Sequence, residues 1–148
     1  MTTVRPERFV LDSGALIQVE HGDHRMIRLL DRVAKGDVIV TIPRTVVAET
    51  WRGGARQARL ARLIKIADTA SADTASTALV RLDELTPERA DQIGLAIGSS
   101  GHDDIVDVHV ALCARDPHRG TVDATIVTSD RDHIERVDIE LKHVISDI

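Results

Sequence analysis

RFVLDS, residues 8–13, is a short apolar run that stops in Asp12-Ser13-Gly14. An unbroken apolar run bounded by turn formers fits a strand buried on both faces; a half-exposed strand would alternate. Two stretches repeat the pattern. DVIVTIP (37–43) is β-branched and closed by Pro43, and TIVTSD (125–130) again ends in polar residues. ALVRLDELT (78–86) predicts a further strand and ELKHVISDI (140–148) a last one. Helical patterns lie between them. HRMIRLLDRVAKG (24–36) carries apolar residues at 26, 27, 29, 30 and 33 and a stop at Gly36. RTVVAETWRGG (44–54) predicts a short helix ended by Gly53-Gly54, and ARQARLARLIKIADTA (55–70) another, with Leu60, Leu63, Ile64 and Ala67 along one side. ERADQIGLAIGSS (88–100) follows the helix start Thr86-Pro87, and GHDDIVDVHVALCA (101–114) predicts a helix ending before Asp116-Pro117. Strands alternating with helices imply one α/β domain, residues 1–148. Its central, mostly parallel sheet has four to five strands and helices on both faces. SADTAST (71–77) is linker-like but too short to separate domains.

The bulk numbers fit that reading. With 148 residues, 43% hydrophobic and 29% charged, the chain suits one ordinary globular core. The lone Cys113 excludes an internal disulfide and a cysteine metal cluster. No apolar run spans a bilayer, and MTTVRPERFV lacks the apolar stretch of a signal peptide, so the expected location is the cytoplasm, with no membrane partner. A net charge of −5 argues against a surface that grips nucleic acid all over. With Phe9 and Trp51 as the aromatics and no tyrosine, a base-stacking platform is excluded too.

Four acids stand where propensity explains them poorly. Asp12 and Asp130 close apolar strands, Glu49 lies within VVAETW, and Asp107 is enclosed by Ile105, Val106, Val108 and Val110. Strand carboxyl ends are where working groups collect in such sheets. Two carboxylates about 4 Å apart repel by on the order of 4 kcal/mol at an effective dielectric near 20. No lysine or arginine is placed beside them in sequence to absorb that, so a divalent cation is the economical explanation, and oxygen ligands favour Mg²⁺ or Mn²⁺. Singly, each acid has a plainer role: Asp12 as a turn or cap, Glu49 paired with Arg52 or Arg44, Asp130 as a turn residue. Within GHDDIVDVHVALCA, Asp103 reads as the helix cap and Asp104 is undecided. Asp107 reads as the metal-site acid, with Ala111 and Ala114 letting its face approach the sheet.

In order and spacing, LDSGALI, VVAET, DVHVALCA and VTSDRD resemble a PIN-domain ribonuclease, and more narrowly the VapC-type toxin of a VapBC toxin–antitoxin pair. The resemblance runs from Phe9 to about Ile134. It implies a Mg²⁺- or Mn²⁺-dependent endoribonuclease with Asp12, Glu49, Asp107 and Asp130 as catalytic and metal-binding acids. It also implies inhibition by a VapB-like antitoxin, and a homodimer. Asp104 and Asp132 are further candidates for the metal site, while Ser13, Thr128 and Ser129 are candidates to hydrogen-bond the carboxylates or the phosphate. Arg52, Arg56, Arg59 and Arg62 form a basic stripe suited to RNA or to an acidic antitoxin segment, with Lys65 nearby. The reverse face, Leu60, Leu63, Ile64 and Ala67, is either core or a groove for an antitoxin helix. The competing readings are a metal-dependent phosphatase, a phosphoacceptor α/β domain, or a non-catalytic interaction module. Gly14 stands where a haloacid-dehalogenase-like phosphatase wants a second aspartate, and Lys142 is the sole candidate for a receiver-domain lysine.

Overall fold

The structure, a computed structural model, describes residues 5–70 and 79–148. The linker-like segment 71–77 and the first residue of the strand expected at 78–86 lie outside them. Among the described residues, five strands form one sheet: β1 (Glu7–Leu11), β2 (Val38–Pro43), β3 (Val80–Asp83), β4 (Thr125–Thr128) and β5 (Ile145–Asp147). Their order is β3-β2-β1-β4-β5 and every pairing is parallel. Val38, Ile39 and Val40 are consecutive and all buried, as are Val10 and Leu11. Side chains alternate across a strand, so consecutive burial means that both faces are covered.

The covering elements are α1 (Ser13–His21), α2 (His24–Ala34), α3 (Arg44–Thr50), α4 (Ala58–Ala70), α5 (Pro87–Ser100), α6 (Ile105–Cys113) and α7 (Arg131–Val137). Helix α1 packs on α2 and α4, whereas α5, α6 and α7 pack on one another, giving two groups. The short α3 touches α1 and α6. One core joins Val10, Leu16, Val40, Ile42, Leu60, Val110, Ile126 and Leu141. Among the described residues, no helix is long and apolar enough to cross a membrane.

Several boundaries differ from expectation. Helix α1 begins directly behind β1, capped by Asp12 and closed at Gly22, whose φ of 72° suits glycine. The helix expected over 44–54 stops at Thr50, because Gln57 receives the N–H groups of Arg52 and Gly53 and holds the chain in a turn. The next helix starts at Ala58, after a 3₁₀ turn over Ala55–Gln57. The last segment is a 3₁₀ turn, Ile139–Val144, and then only three strand residues. An unexpected helix, α7, follows Asp130.

The chain moves from β1 to β2 to β3 in one direction, then crosses back to β4 on the other side of β1. Direction therefore reverses between β1 and β4. In open parallel sheets the crevice at such a reversal, outside the strand carboxyl ends, is where ligands bind. Asp12 follows β1 and Asp130 follows β4.

Candidate metal centre

Asp12 is 8% exposed and caps α1, its Oδ1 accepting the Ala15 N–H at 2.9 Å. Its Oδ2 accepts the Thr128 hydroxyl in a very short hydrogen bond. The Thr128 Oγ1 accepts in turn from the Asp130 N–H at 2.8 Å. A relay thus runs from the backbone after β4 to the carboxylate after β1, fixing both strand ends. Burial pushes the Asp12 carboxyl up, the two hydrogen bonds pull against it, and the charges of Asp107 and Asp130 raise it further. Asp107 and Asp130 are thus near enough to act on Asp12 through their charge.

Asp107 lies in the first turn of α6, and its Oδ2 meets His102 Nε2 at 2.9 Å and His133 Nδ1 at 3.4 Å. His133 Nδ1 is also 2.5 Å from Asp130 Oδ2. Burial raises the Asp107 carboxyl; His102 opposes this, and Asp104 and Asp130 add to it. His102, Asp107 and His133 bring one ligand atom each within 4.8 Å of one another. The helix starts later than the sequence suggests, at Ile105, so its cap is Asp104, accepting the Asp107 N–H at 3.0 Å, and not Asp103. Ala111 and Ala114 are buried behind Asp107.

The other expected residues divide. Ser13 Oγ is buried beside Asp12 with no hydrogen-bond partner, whereas Ser129 is exposed. Gly14 is required by the close approach of Ser129, whose Cβ lies 3.1 Å from where an alanine Cβ would sit. Asp132 is exposed in the first turn of α7. Glu49 is exposed on α3 and lines a cleft with Glu20, Arg52 and Arg56. Arg44 engages Glu84 and Asp68 instead of Glu49. The basic residues do not form one helical stripe: Arg52 precedes the 3₁₀ turn, Arg56 lies in it, and Arg59, Arg62 and Lys65 are on α4. Arg59 donates to the Glu20 carbonyl at 3.3 Å.

A second polar network escaped the sequence reading. Asp83, at the end of β3, takes Arg89 Nε and Nη2 on its two oxygens, each at 2.9 Å. His109, fully buried on α6, joins Asp83 Oδ1 at 2.7 Å to Thr45 Oγ1, also at 2.7 Å. This network ties α3, β3, α5 and α6 together just behind Asp107. Cys113 sits against it, its thiol pushed well up by burial and by Asp83.

Charged-form destabilisation at Asp12 and Asp107, two convergent imidazoles and an orphaned buried hydroxyl together form a donor set suited to a divalent cation. Neither the family models nor the curated proteins compared with the chain match it.

Proposed function

We propose that the chain is a divalent-cation-dependent endoribonuclease of PIN type, the toxin of a toxin–antitoxin pair, acting in the cytoplasm. The observation that carries this reading is the convergence of Asp12, Asp107 and Asp130 at the sheet's reversal point, where burial and mutual repulsion leave a deficit of positive charge. Asp12, Asp107 and Asp130 would hold the cation, with Glu49 as a further acid of the site and His102 and His133 beside them. A bound divalent cation supplies Lewis acidity toward a phosphodiester and toward water. The protein's part is placement. Ala15 N–H and the Thr128 hydroxyl hold the Asp12 carboxylate still, one on each oxygen, so it would meet a cation without reorganisation. The Ser13 hydroxyl, buried beside Asp12 with no hydrogen-bond partner among the described residues, is a donor that a water at the site would satisfy. Arg52 and Arg56, exposed beside Glu49, would meet the RNA backbone along the neighbouring cleft.

The antitoxin's segment has a fitting surface. Between α2 and α4 lies an apolar groove of about 730 Å³ lined by Ile27, Leu30, Leu63 and Ile66 and edged by Arg59 and Arg62. An amphipathic helix with acidic flanks suits it. The toxin is proposed to act as a homodimer. RNA cleavage by the whole chain with and without Mg²⁺ or Mn²⁺ tests the function. Cleavage must require the cation and disappear in Asp12→Ala and Asp107→Asn while both variants stay folded. Full activity of either variant sinks the assignment, and cation binding without cleavage by the wild type favours a non-catalytic module.

A further inference from the structure

We propose that this centre prefers a transition cation that takes imidazole (Co²⁺ or Zn²⁺, and to a lesser degree Mn²⁺) over Mg²⁺, because His102 and His133 join Asp107 as its ligands. The proposal rests on the metal-site reading above and adds the identity of the donors. Oxygen ligands alone would leave Mg²⁺ and Mn²⁺ nearly equivalent; two nitrogen donors do not, since Mg²⁺ sheds water reluctantly and seldom takes imidazole.

Three distances carry the argument. Ligand–nitrogen and ligand–oxygen bonds to such cations run about 2.0–2.2 Å. Donor atoms at that radius stand roughly 3.0 Å apart when they subtend a right angle and roughly 3.4 Å apart at the tetrahedral angle. His102 Nε2 lies 2.9 Å and His133 Nδ1 3.4 Å from the same atom, Asp107 Oδ2. Both distances, a hydrogen bond and an ion pair in the ion-free protein, match the edges a cation bound among these atoms would need. The third, His133 Nδ1 to Asp130 Oδ2 at 2.5 Å, is shorter than such an edge: it is the contact by which Asp130 steadies the His133 ring. The imidazole rings are tilted 45° with centroids 5.3 Å apart, so they are not stacked; their nitrogens, not their faces, converge.

Each donor is held by a different element, which is what preorganisation requires. His102 sits in the turn between α5 and α6, its N–H donating to Ser100 Oγ at 3.2 Å. Asp107 belongs to the first turn of α6, where Asp104 secures its N–H. His133 is on α7, its N–H bound to the Asp130 carbonyl at 3.2 Å. The other metal-like cluster, Asp83, His109 and Cys113, is not a comparable site, because Arg89 already occupies both Asp83 oxygens.

The test is titration of the full chain with Co²⁺ at neutral pH, followed by visible d–d absorption, with Mg²⁺ as competitor. The wild type, His102→Gln, His133→Gln and the double variant are compared, with circular dichroism and melting to verify folding. The wild type should develop the band and retain it in large Mg²⁺ excess. Each histidine variant should bind Co²⁺ at least roughly tenfold more weakly, the loss that even an outer partner of a ligand produces. Co²⁺ binding by a folded double variant equal to wild type, or ready displacement by Mg²⁺, overturns the proposal. RNA cleavage is measured separately. Cleavage in Mg²⁺ as fast as in Mn²⁺ overturns the cation preference and leaves the nuclease reading standing. A histidine-dependent Co²⁺ band in a protein that cleaves no RNA under any cation does the reverse.

Discussion

Replacing Asp83 by asparagine probes the network that seats α6, and with it Asp107. Burial alone would push the Asp83 carboxyl up; hydrogen bonds from His109 and Arg89, and the Arg89 charge, outweigh it and bring it from 3.8 down to about 2. A shift of that size corresponds to about 2 kcal/mol of stability at neutral pH. The sign follows from the lowered folded value: the contribution is complete above 3.8 and is lost as pH falls through about 2. Asp83→Asn removes the charge and leaves Arg89, only 14% exposed, facing a neutral amide. Breaking a fully buried pair costs roughly 3–5 kcal/mol. Since the Asp83 side chain is 23% exposed, water softens the loss, to about 2–3 kcal/mol. For a chain of this length that is roughly 5–10 °C in Tm. Urea unfolding of both proteins at neutral pH, and again below pH 3.8, reads it directly. The gap should be open at neutral pH and should narrow in acid as wild-type Asp83 protonates. Equal stability at neutral pH, or a gap that persists unchanged below the folded value, refutes the reasoning.

Asp12→Asn should abolish RNA cleavage yet leave the ion-free protein as stable as wild type or more so, because burial and the Asp107 and Asp130 charges already disfavour the ionised form; destabilisation beyond about 1 kcal/mol in urea contradicts this. Asp12 and Asp107 have raised folded values, so their linkage has the opposite sign to that of Asp83. Their contribution is present below 3.8 and lost as pH rises through those values. The Mn²⁺-induced rise in Tm should therefore grow between mildly acid and neutral pH, and a flat profile refutes the linkage. Gly14→Ala should cost about 1 kcal/mol, since the Ser129 hydroxyl can rotate away but its Cβ, at 3.1 Å, cannot; Ser129→Gly in the same chain should restore it, and a cost-free Gly14→Ala shows the approach is loose. Charge reversal of Arg52 and Arg56 should weaken RNA binding and flatten its salt dependence more than reversal of Arg62; equal effects place the RNA elsewhere.

What could be read from the chain, and what could not, follows from how far each feature depends on neighbours distant in sequence. The central strands are legible because burial on both faces demands unbroken apolar runs, and RFVL, VIV and TIV supply them. At the sheet edge that demand lapses: β5 is short and largely exposed, so ELKHVISDI, read as one strand, is mostly a 3₁₀ turn. Helix α7 is too short to show a period, and α1 hides because its cap, Asp12, also ends the strand before it. Asp12 and Asp130 are legible as site residues because a parallel sheet sends all its strand ends one way. Glu49 is a different case: it is carried by a helix, and where its carboxylate points depends on how that helix is turned against α1 and α6. His102 and His133 lie in separate elements, and only the packing of α5, α6 and α7 brings their nitrogens to one oxygen. Asp83 sharpens the point. It too stands at the carboxyl end of a strand, although Arg81 interrupts the apolar run before it. Arg89 and His109 answer its charge, whereas Asp12 has a hydroxyl and an amide but further carboxylates nearby. An acid at a strand end thus becomes a candidate ligand only when its surroundings leave it short of positive charge.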